Sequence, residues 1–368
     1  MEAAELKGKL LTASAGSFQR SNQTQLWNHT ALDVRACYNE IVNLMFESGW
    51  PAHMSVVGSS GIGKSNAIPY ILWRRWKDNE LSQFPVYMHE VDEIVRYQKG
   101  QPPHYAKRLE VRLADPRSLY IIDSEVDAEI KTKCCKLWIV SARRGDTGSE
   151  HFKAARHDGC QFVMPPWAFE EMIEPEARQL HGLGDDMVLE RYQRFGGSAR
   201  CVLAVTKSAT EPCDYDMAQA LNSTDALQSL SISSSLKDLT RTTHMLVKLF
   251  PQEGSQRRLL HVNLSSKYVG QELTKRNWAS HRKELWSRIE DFAHTGIATR
   301  LYEEALHWLL HQKDIGHVTL KCRRLLDGHV VHKNFTCGLR GELTNGDSEI
   351  VDGVYYQPST RTFEAFDG

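Results

Sequence analysis

Residues 58–65 read Gly58-Ser59-Ser60-Gly61-Ile62-Gly63-Lys64-Ser65, which matches the phosphate-binding pattern G-x-x-x-x-G-K-[ST] at every defined position. Glycines let such a loop turn successive backbone N–H groups toward one anion, and the helix that follows adds the positive end of its dipole. In this pattern Lys64 reaches the β- and γ-phosphates of a nucleotide, and Ser65 binds Mg²⁺. The sequence therefore predicts that a nucleotide, with ATP as the expected ligand, and Mg²⁺ bind at this loop.

The sequence on either side of this loop fits the order of strand, loop and helix that the motif requires. Residues 53–57 form a short apolar run with β-branched residues, as a strand does, and residues 66–76 are expected to form a helix. Pro69 lies within this predicted helix, where proline is tolerated only near the first turn or at a kink. A Gly/Ser turn that binds no ligand is the alternative interpretation.

The composition indicates a folded protein without a strong overall attraction to a charged partner. The chain has 368 residues, enough for two domains, of which 41% are hydrophobic, and its net charge is −1 at pH 7. Nucleic acid or an acidic membrane would have to bind a local patch. The chain lacks a visible signal sequence, and no apolar run approaches the roughly 20 residues that span a bilayer, so we expect an intracellular protein without a membrane partner. The eight cysteines form no C-x-x-C pair and are expected to be reduced thiols.

Short apolar runs follow the loop at 85–88, 119–123, 136–141 and 160–164. Their hydrophobicity is continuous rather than alternating, which is typical of strands buried on both faces of a parallel sheet. Together with a helix expected at 31–46, they predict an α/β P-loop NTPase domain at residues 25–205. The polar residues 1–24 show no period and are expected to form a disordered lead-in.

Two of these runs end in polar residues, at the edge of the sheet where ligands bind in open α/β folds. Asp123 follows four apolar residues and is predicted to hold Mg²⁺, although it could instead cap a helix. Glu125 and Asp127 could orient an attacking water, but neither directly follows Asp123, so the sequence indicates nucleotide binding more directly than hydrolysis. Ser141 could sense the γ-phosphate or simply end its strand.

A further candidate lies beyond a predicted helix break. Gly196-Gly197 should end one helix and Ser198 should start the next, which places Arg200 in the first turn of a new helix. An arginine at this position can face the nucleotide and stabilise the charge that develops during phosphoryl transfer.

The second half of the chain changes in composition. Residues 206–238 are rich in Ser, Thr and Ala, and short apolar elements at 244–250 and 259–264 follow. Helices are expected at 279–294 and 297–311, and a hairpin arm and a strand at 354–358 and 362–367. We therefore predict a helical connector at 206–290 and a separate α+β domain at 291–368.

These segments together resemble the Crinkler effectors and the related retrotransposon hot spot proteins, whose shared plan is a P-loop ATPase followed by a nuclease-like domain of the restriction-endonuclease class. The resemblance covers about residues 30–367. The residues that carry it are 58–65, the strand ending in Asp123, 140–144, 164–167 with Glu170-Glu171, Arg191-Tyr192, 195–197, Arg200, 260–262, 265–269, Tyr302-Glu303 with His307, 356–358, Phe363 and Asp367. The resemblance implies that Lys64 and Ser65 bind phosphate and Mg²⁺, that Asp123 binds Mg²⁺, and that Arg200 faces the nucleotide.

The same resemblance places Glu303 and Asp367 where the nuclease-like domain carries its first two acids. Such a domain also needs a further strand with E-x-K or Q-x-K to bind metal and activate water, and the sequence ends before it. We therefore expect the domain to be incomplete and nuclease activity to be absent. A Crinkler-type effector would be secreted into a host cell and enter its nucleus, but residues 1–30 contain no matching targeting segment.

The sequence thus predicts a Mg²⁺-dependent ATP-binding protein, an ATPase that regulates an attached, partial restriction-endonuclease-like domain. The alternative is a switch that binds nucleotide without turning it over and acts through a protein or nucleic-acid partner, such as a host protein or DNA. A small-molecule kinase is a weaker third interpretation, because no acceptor-binding signature is visible. The oligomeric state is not defined by the sequence.

Overall fold

The computed structural model describes the following residues of the chain: 5–7, 9–12, 31–47, 53–90, 93–123, 130–141, 161–223, 243–252, 254–255, 260–277, 296–311, 317–323, 330–336, 340–343 and 355–358. The chain divides into two compact units, Met1–Val269 and Gly270–Gly368. The first unit therefore extends well beyond residue 205, where the predicted P-loop domain ends.

A small antiparallel sheet opens the first unit. Its three strands are β1 (Glu5–Lys7), β2 (Leu10–Thr12) and β3 (Ala31–Asp33), in the order β1-β2-β3. The structure differs here from the predicted disordered lead-in at 1–24, because Leu10 and Leu11 are buried in the core. Lys9 also pairs with Glu174 at 2.6 Å. The predicted helix at 31–46 begins later than expected, since residues 31–33 pair with β2; helix α1 covers Ala36–Glu47.

The core of the first unit is a seven-stranded sheet in the order β10-β4-β9-β8-β5-β6-β7. The strands are β4 (His53–Gly58), β5 (Val86–Glu90), β6 (Glu93–Tyr97), β7 (His104–Tyr105), β8 (Leu119–Asp123), β9 (Cys135–Ser141) and β10 (Gln161–Val163). Pairs from β10 to β5 are parallel, and β6 and β7 extend the sheet antiparallel. The predicted mixed α/β fold with a mostly parallel sheet is confirmed. All five residues of β8 are buried, as the continuous apolar runs indicated.

Helices α2 (Ala67–Lys77) and α3 (Arg108–Leu113) and the 3₁₀ turn Leu81–Gln83 lie between strands of this sheet. Helices α4 (Phe169–Met172), α5 (Pro175–His181), α6 (Asp185–Phe195), α7 (Ala199–Val202) and α8 (Lys207–Asn222) follow β10 in sequence. Pro69 is the third residue of α2, within the first helical turn, where a backbone N–H has no partner inside the helix. The proline is therefore compatible with the helix that follows the phosphate loop.

A β-hairpin lies within the segment for which a helical connector was predicted. Helix α9 (Thr243–Leu246) leads into β11 (Val247–Pro251), which pairs antiparallel with β12 (Leu260–Leu264). A helix α10 at 267–277 follows and crosses the boundary between the two units. The short apolar elements predicted at 244–250 and 259–264 are thus largely strands of a hairpin, in which Val247, Leu249 and Leu264 are buried, so the helical connector predicted at 206–290 is not helical here.

The second unit contains helix α11 (Gly296–His311) and four strands: β13 (His317–Arg323), β14 (Val330–Thr336), β15 (Arg340–Leu343) and β16 (Tyr355–Pro358). Strands β13 and β14 are antiparallel, and β15 and β16 are parallel. Helix α11 matches the prediction for 297–311, whereas the predicted helix at 279–294 and strand at 362–367 lie outside the described residues. A restriction-endonuclease class for this unit stays a prediction.

Two further findings concern the cysteines and the helices. Cys201 in α7 and Cys213 in α8 form a disulfide, with Cα atoms 5.8 Å apart. The prediction that all cysteines are reduced is wrong for this pair, because helix packing rather than a local sequence motif brings the two residues together.

Of the helices that the structure describes, none combines the length and the apolar character needed to cross a membrane.

Candidate nucleotide-binding site

The phosphate loop, residues 58–65, connects β4 to α2, as the sequence predicts. Gly61 (φ +74°) and Gly63 (φ +90°) adopt left-handed backbone conformations that side chains with a Cβ disfavour. The Tyr38 hydroxyl donates to the Gly63 carbonyl oxygen at 2.9 Å, and Trp167 Nε1 donates to the Ile62 carbonyl oxygen at 2.9 Å. Helix α1 and the segment after β10 thus each hold one carbonyl group of the loop.

Arg35 is a support of this loop that the sequence did not reveal. Its guanidinium is almost fully buried and donates to the carbonyl oxygens of Ile62, Pro165 and Pro166, each at 3.2 Å. It also pairs with Glu171 at 2.9 Å. One arginine thus holds the phosphate loop, the segment after β10 and helix α4 together.

Lys64 lies where the motif predicts, at the end of the loop. Its side chain is buried, and Nζ donates to the carbonyl oxygens of Gly58 at 2.9 Å and Ser59 at 2.6 Å. Burial lowers the pKa of Lys64 to about 7; the carboxylate of Asp123 acts in the opposite direction. A phosphate anion beside this ammonium would favour its charged form.

Three basic residues, Lys64, Arg200 and Lys248, and one carboxylate, Asp123, determine the charge around the end of the phosphate loop. The positive charges of Arg200 and Lys248 both lower the pKa of Lys64, and only Asp123 raises it. Like charges held together in a buried site are unfavourable until an anion compensates them. The electrostatic character of the site therefore suits a polyphosphate.

Ser65 and Asp123 meet although 58 residues separate them in sequence. The Ser65 hydroxyl donates to Asp123 Oδ1 at 3.0 Å, which joins the start of α2 to the end of β8. The Asp123 carboxylate is buried. One hydroxyl and one carboxylate fit Mg²⁺, which prefers oxygen ligands and is commonly held by one or two protein groups together with substrate phosphates and water.

Strand β9 lies between the phosphate-loop strand β4 and the Asp123 strand β8. Its pairing places Ser141 opposite Gly58 and Ile139 opposite Asp123, so the backbone of Ser141 comes beside the start of the loop. The structure therefore brings Ser141 to the predicted edge of the sheet, while Glu125 lies outside the described residues.

Arg200 contacts the loop through the start of α7. Its backbone N–H donates to the Gly61 carbonyl oxygen at 3.1 Å, and the Ser198 hydroxyl donates to the Ser60 carbonyl oxygen at 3.3 Å. A Cβ added to Gly61 would lie 3.0 Å from the Arg200 Cβ. The predicted helix break is confirmed, since α6 ends at Phe195 and α7 begins at Ala199, directly after Ser198. That the guanidinium faces a nucleotide stays a prediction.

The glycine turn at 196–197 requires glycine for two reasons. Gly196 has φ +59°, and a Cβ added there would lie 1.8 Å from the carbonyl oxygen of Ser265. We expect Gly196→Ala to lower the free energy of unfolding by about 2–4 kcal/mol, because both the backbone and the neighbouring strand end must move. Gly184→Ala is the matched control, since nothing lies within 4 Å of its added Cβ. Urea unfolding checks the pair; equal midpoints for both variants would contradict the expectation.

The β11–β12 hairpin also touches the phosphate loop, which the sequence did not indicate. The backbone N–H of Leu249 donates to Ser59 Oγ at 2.8 Å across 190 residues of sequence. The hairpin carries Lys248, a buried lysine between two apolar residues of a strand. Because a lysine between apolar residues of a strand is unusual, the sequence could have singled out Lys248. It could not have shown which residues lie near Lys248 in the fold.

Of the two predicted nuclease acids, the structure describes Glu303 but not Asp367. Glu303 lies on α11 with half of its side chain exposed and is 3.3 Å from Arg300 and 3.7 Å from His307. Asp367 lies outside the described residues. In the part of the chain that the structure describes, no three His, Cys, Asp or Glu side chains group together as a metal site would require.

Comparisons with known proteins agree with part of the resemblance drawn from the sequence. No protein-family model matches the chain. It is 24% identical over 287 residues to Crinkler effector protein 15 of Phytophthora infestans, covering 73% of this chain and 44% of the relative. Among solved structures, the S. cerevisiae Hsp104-ADP complex aligns over 73% of this chain and 44% of that chain, with 11% identity and a TM-score of 0.31, too low to assign the fold. The alignments thus cover less than half the length of either protein. The weak similarity to a Crinkler effector supports the resemblance to Crinkler effectors. The resemblance to retrotransposon hot spot proteins and the nuclease-like domain stay predictions.

Proposed function

We propose that this chain binds ATP with Mg²⁺ at the phosphate loop and hydrolyses it, and that the nucleotide state regulates its second, nuclease-like unit. The observation that carries the proposal is the meeting of Ser65 and Asp123 at 3.0 Å beside the buried Lys64. These are the cation, hydroxyl and carboxylate that a nucleotide with Mg²⁺ requires.

Each residue has a defined part in this proposal. The loop N–H groups and Lys64 bind the phosphates, and Ser65 and Asp123 hold Mg²⁺, which neutralises phosphate charge when it is bound. Arg200 stabilises the charge that develops on the transferred phosphoryl group. Glu125 orients the attacking water, and Ser141 senses the γ-phosphate.

A switch that binds ATP without turning it over is the second candidate function. The residue directly after Asp123 is Ser124 rather than a second acid, and this observation favours slow hydrolysis or none. Such a switch would act through a protein or nucleic-acid partner. Because the relative is named an effector, a role inside a host cell, on a host protein or DNA, is part of the same proposal.

Calorimetric titration with ATP, with and without Mg²⁺, and a phosphate-release assay test the two functions together. Binding with turnover near one per second supports the ATPase. Tight binding without phosphate release supports the switch. A folded protein that binds no ATP at millimolar concentration would overturn both.

A further inference from the structure

Lys248 is a basic side chain that neither the phosphate-loop motif nor the proposed roles above include. It is the second residue of β11, and only 4% of its surface is exposed. Its neighbours Val247 and Leu249 are buried as well. A lysine in such a strand is costly to bury, because its charged form loses hydration.

Two contacts define where this lysine lies. The next residue, Leu249, donates its backbone N–H to Ser59 Oγ at 2.8 Å, so the strand touches the phosphate loop at this point. The aliphatic end of the side chain approaches the glycine turn, since a Cβ added to Gly196 would lie 3.4 Å from Lys248 Cε. Lys248 is therefore near both the phosphate loop and the turn that precedes Arg200.

The ammonium group has no compensating partner among the described residues. No hydrogen bond or ion pair from this part of the chain holds it, and burial lowers the pKa of Lys248 to about 7. Its positive charge acts on Lys64 and lowers the pKa of that residue too. Lys248 and Lys64 are both buried, the strand of Lys248 contacts the phosphate loop, and Asp123 is the carboxylate that acts on Lys64, so the site carries more positive than negative charge and an anion would stabilise it.

We propose that Lys248 binds the phosphates of the nucleotide, as a third cation beside Lys64 and Arg200. This inference rests on the proposed ATP binding and adds a residue that lies outside the loop motif. Because its strand contacts Ser59 of the phosphate loop and its side chain lies by the turn that precedes Arg200, Lys248 binds the end of the nucleotide on which Arg200 acts. The β11–β12 hairpin thereby contacts the ligand directly, and β12 leads into α10, which continues into the second unit.

Lys248→Met tests this role, with Lys207→Met as the matched control at a lysine whose side chain is 90% exposed. We expect Lys248→Met to weaken ATP binding about 10- to 100-fold, the size expected for losing one charged hydrogen bond to phosphate. ADP binding should weaken less, and Lys207→Met should match the wild type. The unfolding midpoint without nucleotide should stay the same or rise, since methionine removes a buried charge and keeps most of the side-chain volume.

The outcomes separate this inference from the proposed function. If the wild type binds ATP and Lys248→Met binds it equally well, the role of Lys248 is overturned while the ATP site stands. If the wild type binds no ATP, the proposed function itself fails. A lower midpoint together with unchanged affinity would show that the lysine is only structural.

If Lys248→Met does not fold, hydrogen exchange measured on the wild type tests the inference instead. Hydrogen exchange of the amides at 247–250 should slow when ATP with Mg²⁺ is added, and slow less with ADP, because a ligand held by Lys248 restrains the hairpin. Exchange in the hairpin that ATP leaves unchanged, at a concentration that protects α2, would overturn the inference.

Discussion

Lys64→Ala is expected to weaken ATP binding by about 10- to 150-fold and to lower ATP turnover by at least about 100-fold. The first figure follows from the loss of charged hydrogen bonds to phosphate, about 1.5–3 kcal/mol, and the second from the loss of a group that stabilises transition-state charge. Isothermal calorimetry and a phosphate-release assay measure the two effects. Lys207→Ala, at an exposed lysine of α8, is the control and should leave both values unchanged.

The stability of the nucleotide-free protein distinguishes this effect from misfolding. The Lys64 ammonium is buried, so its removal relieves a desolvation cost while it takes hydrogen bonds from two carbonyl oxygens. These terms oppose each other, and we expect the free energy of unfolding to change by no more than about 1 kcal/mol. Normal ATP turnover in a folded Lys64→Ala variant would contradict the assignment of the phosphate loop.

Asp123→Asn is expected to separate metal binding from nucleotide binding. Turnover with Mg²⁺ should fall about 100-fold or more, because the carboxylate that pairs with Ser65 at 3.0 Å would no longer hold the ion. ATP binding in the presence of a chelator should be equal to or tighter than that of the wild type, since removal of a buried negative charge reduces repulsion with the phosphates. Titrations with Mg²⁺ and with a chelator measure this difference.

An exposed acid gives the matched control for Asp123→Asn. Asp186 lies in the first turn of α6 with an exposed side chain, so Asp186→Asn should leave turnover and both affinities unchanged. If Asp123→Asn weakened ATP binding equally with and without Mg²⁺, the aspartate would have a structural role such as capping rather than a metal-binding one.

The local features of the site could be predicted from sequence because each is encoded by adjacent residues. Gly61 and Gly63 permit the left-handed turns of the loop, and the buried run that ends in Asp123 forms a parallel strand. The helix break at Gly196-Gly197, followed by a new helix that contains Arg200, could be predicted for the same reason. Propensity and hydrophobic period act over a few residues, so they determine such elements and their order along the chain.

The errors fall where distant residues decide the conformation. Leu10 and Leu11 form a strand within a polar segment because β3 and the core lie beside them. The short apolar elements at 244–250 and 259–264, predicted as parts of a helical connector, pair instead as the hairpin of β11 and β12, with Val247, Leu249 and Leu264 buried. Tertiary packing overrides weak local preference in both cases.

The sequence by itself determined the phosphate loop, its glycines, Lys64 and Ser65, and the parallel strands that surround the loop. Only the tertiary structure decided which other groups reach it: Arg35 on the carbonyl of Ile62, Leu249 on Ser59, and the buried Lys248 near Lys64. The physical reason is that a loop motif specifies its own backbone. The charges around that loop come from residues up to 190 positions away, and their placement depends on how the whole unit packs.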